Sequence, residues 1–257
     1  MRLFSPIITS KIRTKDVPKI KLLLKVGILT GITLLAGCAT ANRADGVNDP
    51  LVGYNRAMYS INDAVDRAVI KPIAKGYDTV VPTGISQGVS NFFSNLNDIT
   101  VILNDLLQLK FGQALDDTGR FALNSTVGFA GILDVATLAG HEKNNEDFGQ
   151  TLGVWGIQPG PYVVLPFFGP RNFRDTFGLV GDMYTDPVSH IDDVATRNAL
   201  IATHVIDSRA NNLSIKKVLD EAALDEYSYV RNAYLQRRQN LVYDGNPPKD
   251  EFDVFAD

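Results

Sequence analysis

Asp49-Pro50-Leu51-Val52-Gly53-Tyr54-Asn55-Arg56-Ala57-Met58-Tyr59-Ser60-Ile61-Asn62-Asp63-Ala64-Val65-Asp66-Arg67-Ala68-Val69 sets the pattern that the rest of the chain repeats. Leu51, Tyr54, Met58, Ile61, Val65 and Val69 recur every three or four residues, which places them on one stripe of a helix. Asn55, Arg56, Asn62, Asp63, Asp66 and Arg67 fill the remainder. Asp49 followed by Pro50 is a start signal: the acid caps a free backbone N–H, and proline occupies a first-turn position where no N–H is needed. Lys71-Pro72 interrupts the pattern, because proline inside a helix removes one hydrogen bond and crowds the carbonyl four residues back.

Further along, Ile73–Val81 reads as a short helix stopped by Pro82. Thr83 begins another, with Ile85, Val89, Phe92, Phe93 and Leu96 on its apolar side; Asn95, Asn97 and Asp98 read as a turn or cap cluster. Ile99–Leu109 is very apolar around Asn104 and Asp105, Phe111–Thr126 is a further helix, and Gly128–Gly140 is apolar apart from Asp134 and Thr137. Character changes at His141. Through Pro170 the chain holds Gly149, Gly153, Gly156, Gly160 and Gly169, with Pro159, Pro161, Pro166 and Pro170, a density that forbids a regular helix. Yet Phe148, Trp155, Tyr162, Phe167 and Phe168 lie in the same segment, so it reads as a tightly packed or functional loop. Helical patterning resumes at Asn172 and stops at Asp186-Pro187. Ile191–Ala210 and Leu213–Tyr243 read as two long helices, with Arg231, Arg237 and Arg238 in the last turns of the second, where cations suit the dipole. No strand alternation is convincing, since Tyr162–Phe168 is broken by Pro166. The fold class is all-α, built of many short amphipathic helices with one long Gly/Pro-rich loop.

The N-terminus has a different composition. Residues 1–37 hold seven of the 25 Lys and Arg and one of the 29 acids, so residues 38–257 carry 18 bases against 28 acids, a net of −10. That balance argues against a nucleic-acid partner, which needs clustered cations. The apolar run 26–35 is too short to cross about 30 Å of hydrocarbon, which takes ~20 helical residues. Leu35-Ala36-Gly37-Cys38 resembles a bacterial lipobox. The resemblance implies a signal peptide over 1–37 and an acylated Cys38 as the lipid-attachment residue; the competing reading is a small residue beside an ordinary cleavage site. Ala39 stands where an Asp often marks inner-membrane retention, which by the same resemblance implies the outer membrane, facing the periplasm. Cys38 is the sole cysteine, which excludes a disulfide within the chain and a multi-cysteine zinc site. Residues 38–48 read as a tether, 49–245 as the helical domain and 246–257 as a disordered acidic tail.

Catalytic chemistry is hard to place. No H-E-x-x-H, G-x-S-x-G, P-loop or G-x-G-x-x-G pattern occurs. His141, His190 and His204 lie in unrelated segments and read as surface or helix-end residues. Asp116 and Asp117 are adjacent on a helix, so they point about 100° apart and read as a solvated face. No enzyme, cofactor or metal is expected. After Cys38 no stretch of about 20 apolar residues occurs. Two readings of the apolar stripes stay open: a closed dry core, or helices lying in the interfacial layer of a membrane.

Several stretches are similar to one family. They are Asp49-Pro50-Leu51-x-x-Tyr54-Asn55-Arg56, Lys71-Pro72-Ile73-Ala74, Asn91-Phe92-Phe93-Ser94-Asn95-Leu96, Arg120-Phe121-x-x-Asn124-Ser125-Thr126-x-Gly128, Gly131-x-x-Asp134 and Glu146-Asp147-Phe148-Gly149-Gln150-Thr151-Leu152-Gly153. Gly160-Pro161-Tyr162, Leu165-Pro166 and Arg174-Asp175 continue the match, which covers about Asp49 to Tyr243. In these the chain resembles the MlaA (VacJ) family of outer-membrane lipoproteins. The resemblance implies a ring-like helical protein embedded in the inner leaflet of the outer membrane. A polar channel through it takes mislocalised phospholipid from the outer leaflet, and the lipid passes to a soluble periplasmic carrier. An outer-membrane porin trimer is the implied partner. On that basis the His141–Pro170 loop is expected to form channel wall or rim. Phe148, Trp155, Tyr162, Phe167 and Phe168 would contact acyl chains, and Asp147, Gln150 and Arg174 would supply polar groups. The alternative for Phe148, Trp155 and Tyr162 is that they pack the loop down. Asn91-Phe92 is expected near a helix joint bordering the lipid path. The competing functions are a structural or adaptor lipoprotein that binds porins without moving lipid, and an envelope hydrolase.

Overall fold

The computed structural model describes residues 49–215 and 225–248. The signal peptide, Cys38, the tether, the middle of the helix read from Leu213, and residues 249–257 of the tail lie outside the described residues. The chain divides after Tyr54 into two units. The described part of the first is a turn and the opening of α1, and the second carries all the other elements.

Helix α1 (Val52–Val65) does not end at Lys71-Pro72. It passes through a π turn (Asp66–Ile70) directly into α2 (Lys71–Val80). The Lys71 N–H bonds the Asp66 carbonyl five residues back. The wide turn relieves the crowding a proline imposes on an ordinary helix, so the chain continues where a break was expected. Helix α3 (Thr83–Leu107) also runs unbroken. The turn expected at Asn95–Asp98 is absent because Asn95, Asp98, Asn104, Asp105 and Gln108 form a buried polar stripe at helical spacing. Partners for Asn95, Asp98 and Asp105 come from α4 (Phe111–Thr126), whose buried face is Ala114, Asp117, Arg120 and Asn124, while Asn104 and Gln108 bond Thr151 further along the chain. Asn95 donates to Ser125 at 2.9 Å and Gln113 donates to Asp105 at 2.8 Å, so the two helices run antiparallel as a hairpin.

Beyond α5 (Val135–Leu138), the Gly/Pro-rich segment is more regular than its composition predicts. It holds α6 (Phe148–Val154), and then β1 (Tyr162–Leu165) pairs antiparallel with β2 (Gly169–Asn172), Val164 opposite Pro170. The helix is possible because its prolines all lie outside it, and Gly149 with Gly153 share one face. The strand is possible because Pro166 sits in the turn, where Phe167 takes φ +65° and Gly169 φ +74°. The outer edge of β1 is closed by α1. Asn55 donates to the Tyr162 carbonyl at 3.0 Å and accepts from the Val164 N–H at 2.9 Å. Asn62 does the same to the Leu165 carbonyl and the Phe167 N–H, both at 2.9 Å. Two helical turns rise about 10.5 Å, and three strand residues advance about 10 Å. Asparagines seven apart therefore meet the strand in register and stand in for a missing neighbour strand.

Asn172 caps α7 (Phe173–Thr185) through the Asp175 N–H, Asp193 caps α8 (Val194–Asn211) through Thr196, and Asp225 caps α9 (Glu226–Val242) through Ser228. A 3-10 turn (Pro187–His190) joins α7 to α8. The principal packing pairs are α3 with α4, α6 with α7, and α2 with α8.

The distribution of side chains is inverted relative to a water-soluble core. Among the described residues, twenty polar or charged side chains are buried against ten apolar ones. Thirty-one large apolar side chains are exposed, among them Ile85, Ile99, Leu106, Leu115, Phe129, Phe177 and Val180. Exposed apolar area on this scale marks an interaction surface, whereas scattered exposed Leu and Ile do not. No helix among the described residues is long and apolar enough to cross a membrane.

Candidate functional site

The interior is organised around two charge networks. In the first, Arg120 reaches out from α4. It donates to Asp134 and to the His141 carbonyl, both at 2.8 Å, and to Thr137 at 2.7 Å. Asn124, one helical turn on, donates to Asp134 at 3.0 Å and accepts from the Ala136 N–H at 2.9 Å. These bonds tie α5 to α4 and order the Gly128–Asp134 turns. Asp98 is fully buried and paired with Lys143, which also donates to the Ser94 carbonyl. Burial pushes the Asp98 carboxyl up, and Lys143 and Arg120 only partly offset it. Glu146 accepts from Gln108 at 2.8 Å and from Lys110 at 2.9 Å.

Asp105 and Asp117, expected on a solvated face in the latter case, are both wholly buried. Oδ2 of Asp105 and Oδ1 of Asp117 find no hydrogen-bond partner among the described residues. Burial first, then the neighbouring Asp117, pushes Asp105 up to about 7. A proton held on Asp105 is shared by hydrogen bond with the neighbouring Asp117. The folded state therefore binds a proton that the unfolded chain has lost above about pH 4. The stability contributed by that proton is complete below the unfolded value and fades as pH rises through about 7. Asp105→Asn, which keeps the protonated shape, is expected to flatten the fall in melting temperature between pH 5 and pH 8 in detergent. Identical pH slopes for wild type and variant would contradict the shared proton.

The second network joins α6, α7 and α9. Arg238, read in the sequence as a cation suited to the dipole of its helix, is buried. Its two Nη atoms grip Asp147 at 2.5 and 2.9 Å, and one also reaches Asp175 at 3.1 Å. Asp175 further accepts from Arg174 at 3.0 Å, Asn172 at 2.8 Å and the Tyr234 hydroxyl at 2.6 Å. Burial pushes Asp147 up, but the Arg238 grip outweighs it and the carboxyl lies below its ordinary value. Burial raises Asp182 to about 6, although the Phe148 N–H bonds it at 2.9 Å.

Beside this network lies a cavity of about 370 Å³. It brings together three of the residues singled out in the sequence, Asp147, Gln150 and Phe168, with Arg171, Arg237 and Arg238. Phe167 and Phe168 occupy the hairpin tip, 77% and 53% exposed. Trp155 is exposed and its indole donates to the Leu107 carbonyl at 3.0 Å. Tyr162 instead packs the segment down: it is buried, with the rings of Tyr227 and Tyr234 at 6.2 and 6.0 Å. Phe148 lies half-buried against Gly181 of α7. Arg174 is buried on Asp175 and faces a second cavity of about 330 Å³ with Asn172 and Gln239. Asn91 and Phe92 are not at a helix joint but in the middle of α3. There Asn91 donates to the Ile132 carbonyl at 3.0 Å, and Phe92 meets Phe93 edge-on at 5.3 Å. Sequence reasoning missed Arg171 and gave Arg237 and Arg238 no role beyond the helix dipole. The signal available was their spacing from each other along α9, which leaves Arg238 inward when Arg237 faces the cavity.

A family profile described as MlaA lipoprotein matches residues 47–241. The intermembrane phospholipid transport system lipoprotein MlaA of Escherichia coli strain K12 is 34% identical over 220 residues, covering 84% of this chain and 87% of that protein. The protein of the same description from Haemophilus influenzae is 33% identical over 218 residues, covering 82% and 87%. A solved structure described as the structural basis for maintenance of bacterial outer membrane lipid asymmetry superposes with a TM-score of 0.68 at 31% identity, covering 76% of this chain and all of that one. The polar stripe of α3, the Arg120–Asp134 anchor and the Asp147–Arg238 network are thus built on a shared framework, and the chain belongs to the MlaA lipoprotein family.

Proposed function

We propose that the chain works in intermembrane phospholipid transport as an outer-membrane lipoprotein, maintaining lipid asymmetry by taking misplaced phospholipid from the outer leaflet. It is a transport lipoprotein, not an enzyme. The single observation that carries the mechanism is the inverted burial: charged and amide side chains inside, large apolar ones outside. Apolar helix faces resting among the acyl tails of the periplasmic leaflet remove that surface from water, at roughly 25 cal/mol per Å². Irregular backbone is tolerated at membrane depth where it is buried in protein or lines a wet cavity. A phospholipid needs a polar route for its headgroup, since stripping a charge of its partners is costly, and an apolar one for its tails. The polar interior supplies the first and the hairpin tip borders the second. An acylated Cys38 would hold the protein at the leaflet, a porin trimer would seat it, and a soluble periplasmic carrier would receive the lipid.

A strain lacking this chain is expected to accumulate phospholipid at the cell surface and to become detergent-sensitive, with wild-type chain restoring both. The double variant Phe167→Asp, Phe168→Asp is expected to be produced but to restore neither, because carboxylates at the tip oppose contact with acyl chains. Full restoration by that variant would remove the hairpin from the lipid path. Purified protein that carries porin but never phospholipid would mark an adaptor instead.

A further inference from the structure

We propose that Arg171 and Arg237 form a subsite for the phosphate of a glycerophospholipid headgroup in the 370 Å³ cavity beside Asp147, with Phe168 and Leu241 on its apolar side. This rests on the phospholipid-transport reading and adds to it the place where the headgroup is held.

The charges at the cavity point to these two residues. Five ionisable groups of opposite sign meet at its wall: Glu146, Asp147, Arg171, Arg237 and Arg238. Glu146 is neutralised by Lys110, and Asp147 by the two-pronged grip of Arg238. Arg171 and Arg237 are left with no carboxylate at ion-pair distance among the described residues. That is unusual in a chain whose residues 38–257 carry a net charge of −10. Nε of Arg171 is buried and has no acceptor among the described residues. A buried donor without a partner is destabilising, and its native exceptions call for an explanation. A phosphate, with two anionic oxygens, is an acceptor that the planar fork of a guanidinium can grip in two prongs.

Placement agrees with this chemistry. Arg171 stands on β2, opposite Val163, and Phe168 lies three residues before it at the exposed tip of the same hairpin. The cavity wall thus combines cations with the apolar side chains of Phe168 and Leu241, the two chemistries that a phospholipid presents. Its volume lies at the small end of the ~300–1,000 Å³ range of ligand pockets. It accommodates a phosphate and glycerol but not two acyl tails, which must extend past Phe168.

The probe is a water-soluble short-chain phosphatidylglycerol, titrated against the purified full-length lipoprotein in detergent and followed by phosphorus NMR. Arg171→Gln with Arg237→Gln is expected to weaken binding by at least about tenfold, the loss of two charge-assisted hydrogen bonds. Arg171→Lys with Arg237→Lys, which keeps the charge, is expected to retain more affinity than the glutamine pair, with melting temperatures of both near wild type. Phospholipid binding that survives the glutamine pair undiminished overturns the subsite while leaving the transport reading intact. Wild-type protein that binds inorganic phosphate as tightly as the lipid also overturns it, because the site would then serve a free anion. Wild-type protein that binds no phospholipid at all overturns the transport reading itself.

Discussion

Arg238→Met is expected to remove a large share of the protein's stability, on the order of 3–5 kcal/mol against a typical total of about 5–15. Methionine keeps an apolar stem as far as the position of Nε and removes the guanidinium head, so the loss reports the missing charge and hydrogen bonds together with the volume of that head. Without the guanidinium, Asp147 loses both its charge-assisted bonds, and Asp175 keeps only Arg174, Asn172 and Tyr234. Asp175 is about 1% exposed, so water cannot make up the difference. Removing one partner of a buried pair strands the other charge, which costs more than the intact pair contributes. Arg238→Lys is expected to recover only part of the loss, because one ammonium cannot grip a carboxylate in two prongs and reach a second. Chemical unfolding in detergent micelles measures both. A loss below about 1 kcal/mol for Arg238→Met would place the network at the surface rather than in the interior.

The second large effect is expected from Gly178→Ala, by contact rather than charge. A methyl group there would lie 2.4 Å from the backbone nitrogen of Gly149 and 2.6 Å from its Cα. Neither is the end of a flexible side chain, so α6 and α7 must separate. Overpacking of this kind costs about 1–3 kcal/mol and sometimes more. Here separation also drags the charge network, because a Cβ on Gly149 would already fall 2.6 Å from Oδ1 of Asp175. Gly178→Ala and Arg238→Met should therefore cost less together than the sum of their separate effects. Gly76→Ala in α2 is the control. Nothing lies within 4 Å of its added methyl. Alanine is the better helix former by about 0.8–1.0 kcal/mol, so this variant should be neutral or stabilised. Equal losses for the two alanine variants would refute the close approach of α6 and α7.

What could be read in the sequence was periodicity and punctuation. The Leu51–Val69 stripe became α1 and the π turn after it, the patterning that resumes at Asn172 became α7, and Asp186-Pro187 became the break that ends it. What could not be read was the sign of the burial. Of the apolar side read for α3, Phe93 is buried but Ile85 is exposed, while the polar Asn95, Asp98, Asn104 and Asp105 of the same helix are buried. Asn95 and Asp98 look like a turn only if polar residues are assumed to face water. The partners that make their burial tolerable, Ser125, Arg120 and Lys143, stand 22 to 45 residues away. No local rule connects them. Pro72 misled for another reason: a π turn just before it is a backbone adjustment that composition does not announce. Strand β1 was hidden because its outer edge is paired by side chains of α1 rather than by another strand. Of the residues at the cavity, Asp147 and Gln150 were singled out through the family motif, and Phe168 as an aromatic of the Gly/Pro-rich segment. Arg171 and Arg237 were not, since two arginines 66 positions apart gain meaning only when β2 and α9 meet at one cavity.

The pairing of Arg56 with Asp225 at 2.6 Å, and of Tyr59 with Glu226 at 3.0 Å, fastens the opening helix to the closing one. Arg238 belongs to that closing helix as well. Synthesis from the N-terminus delivers Asp147 and Asp175 long before Arg238. Assembly of the interior must wait for the last stretch, and any fragment that stops short of α9 leaves Asp147 without the guanidinium that grips it and Asp175 with Arg174 as its remaining cation.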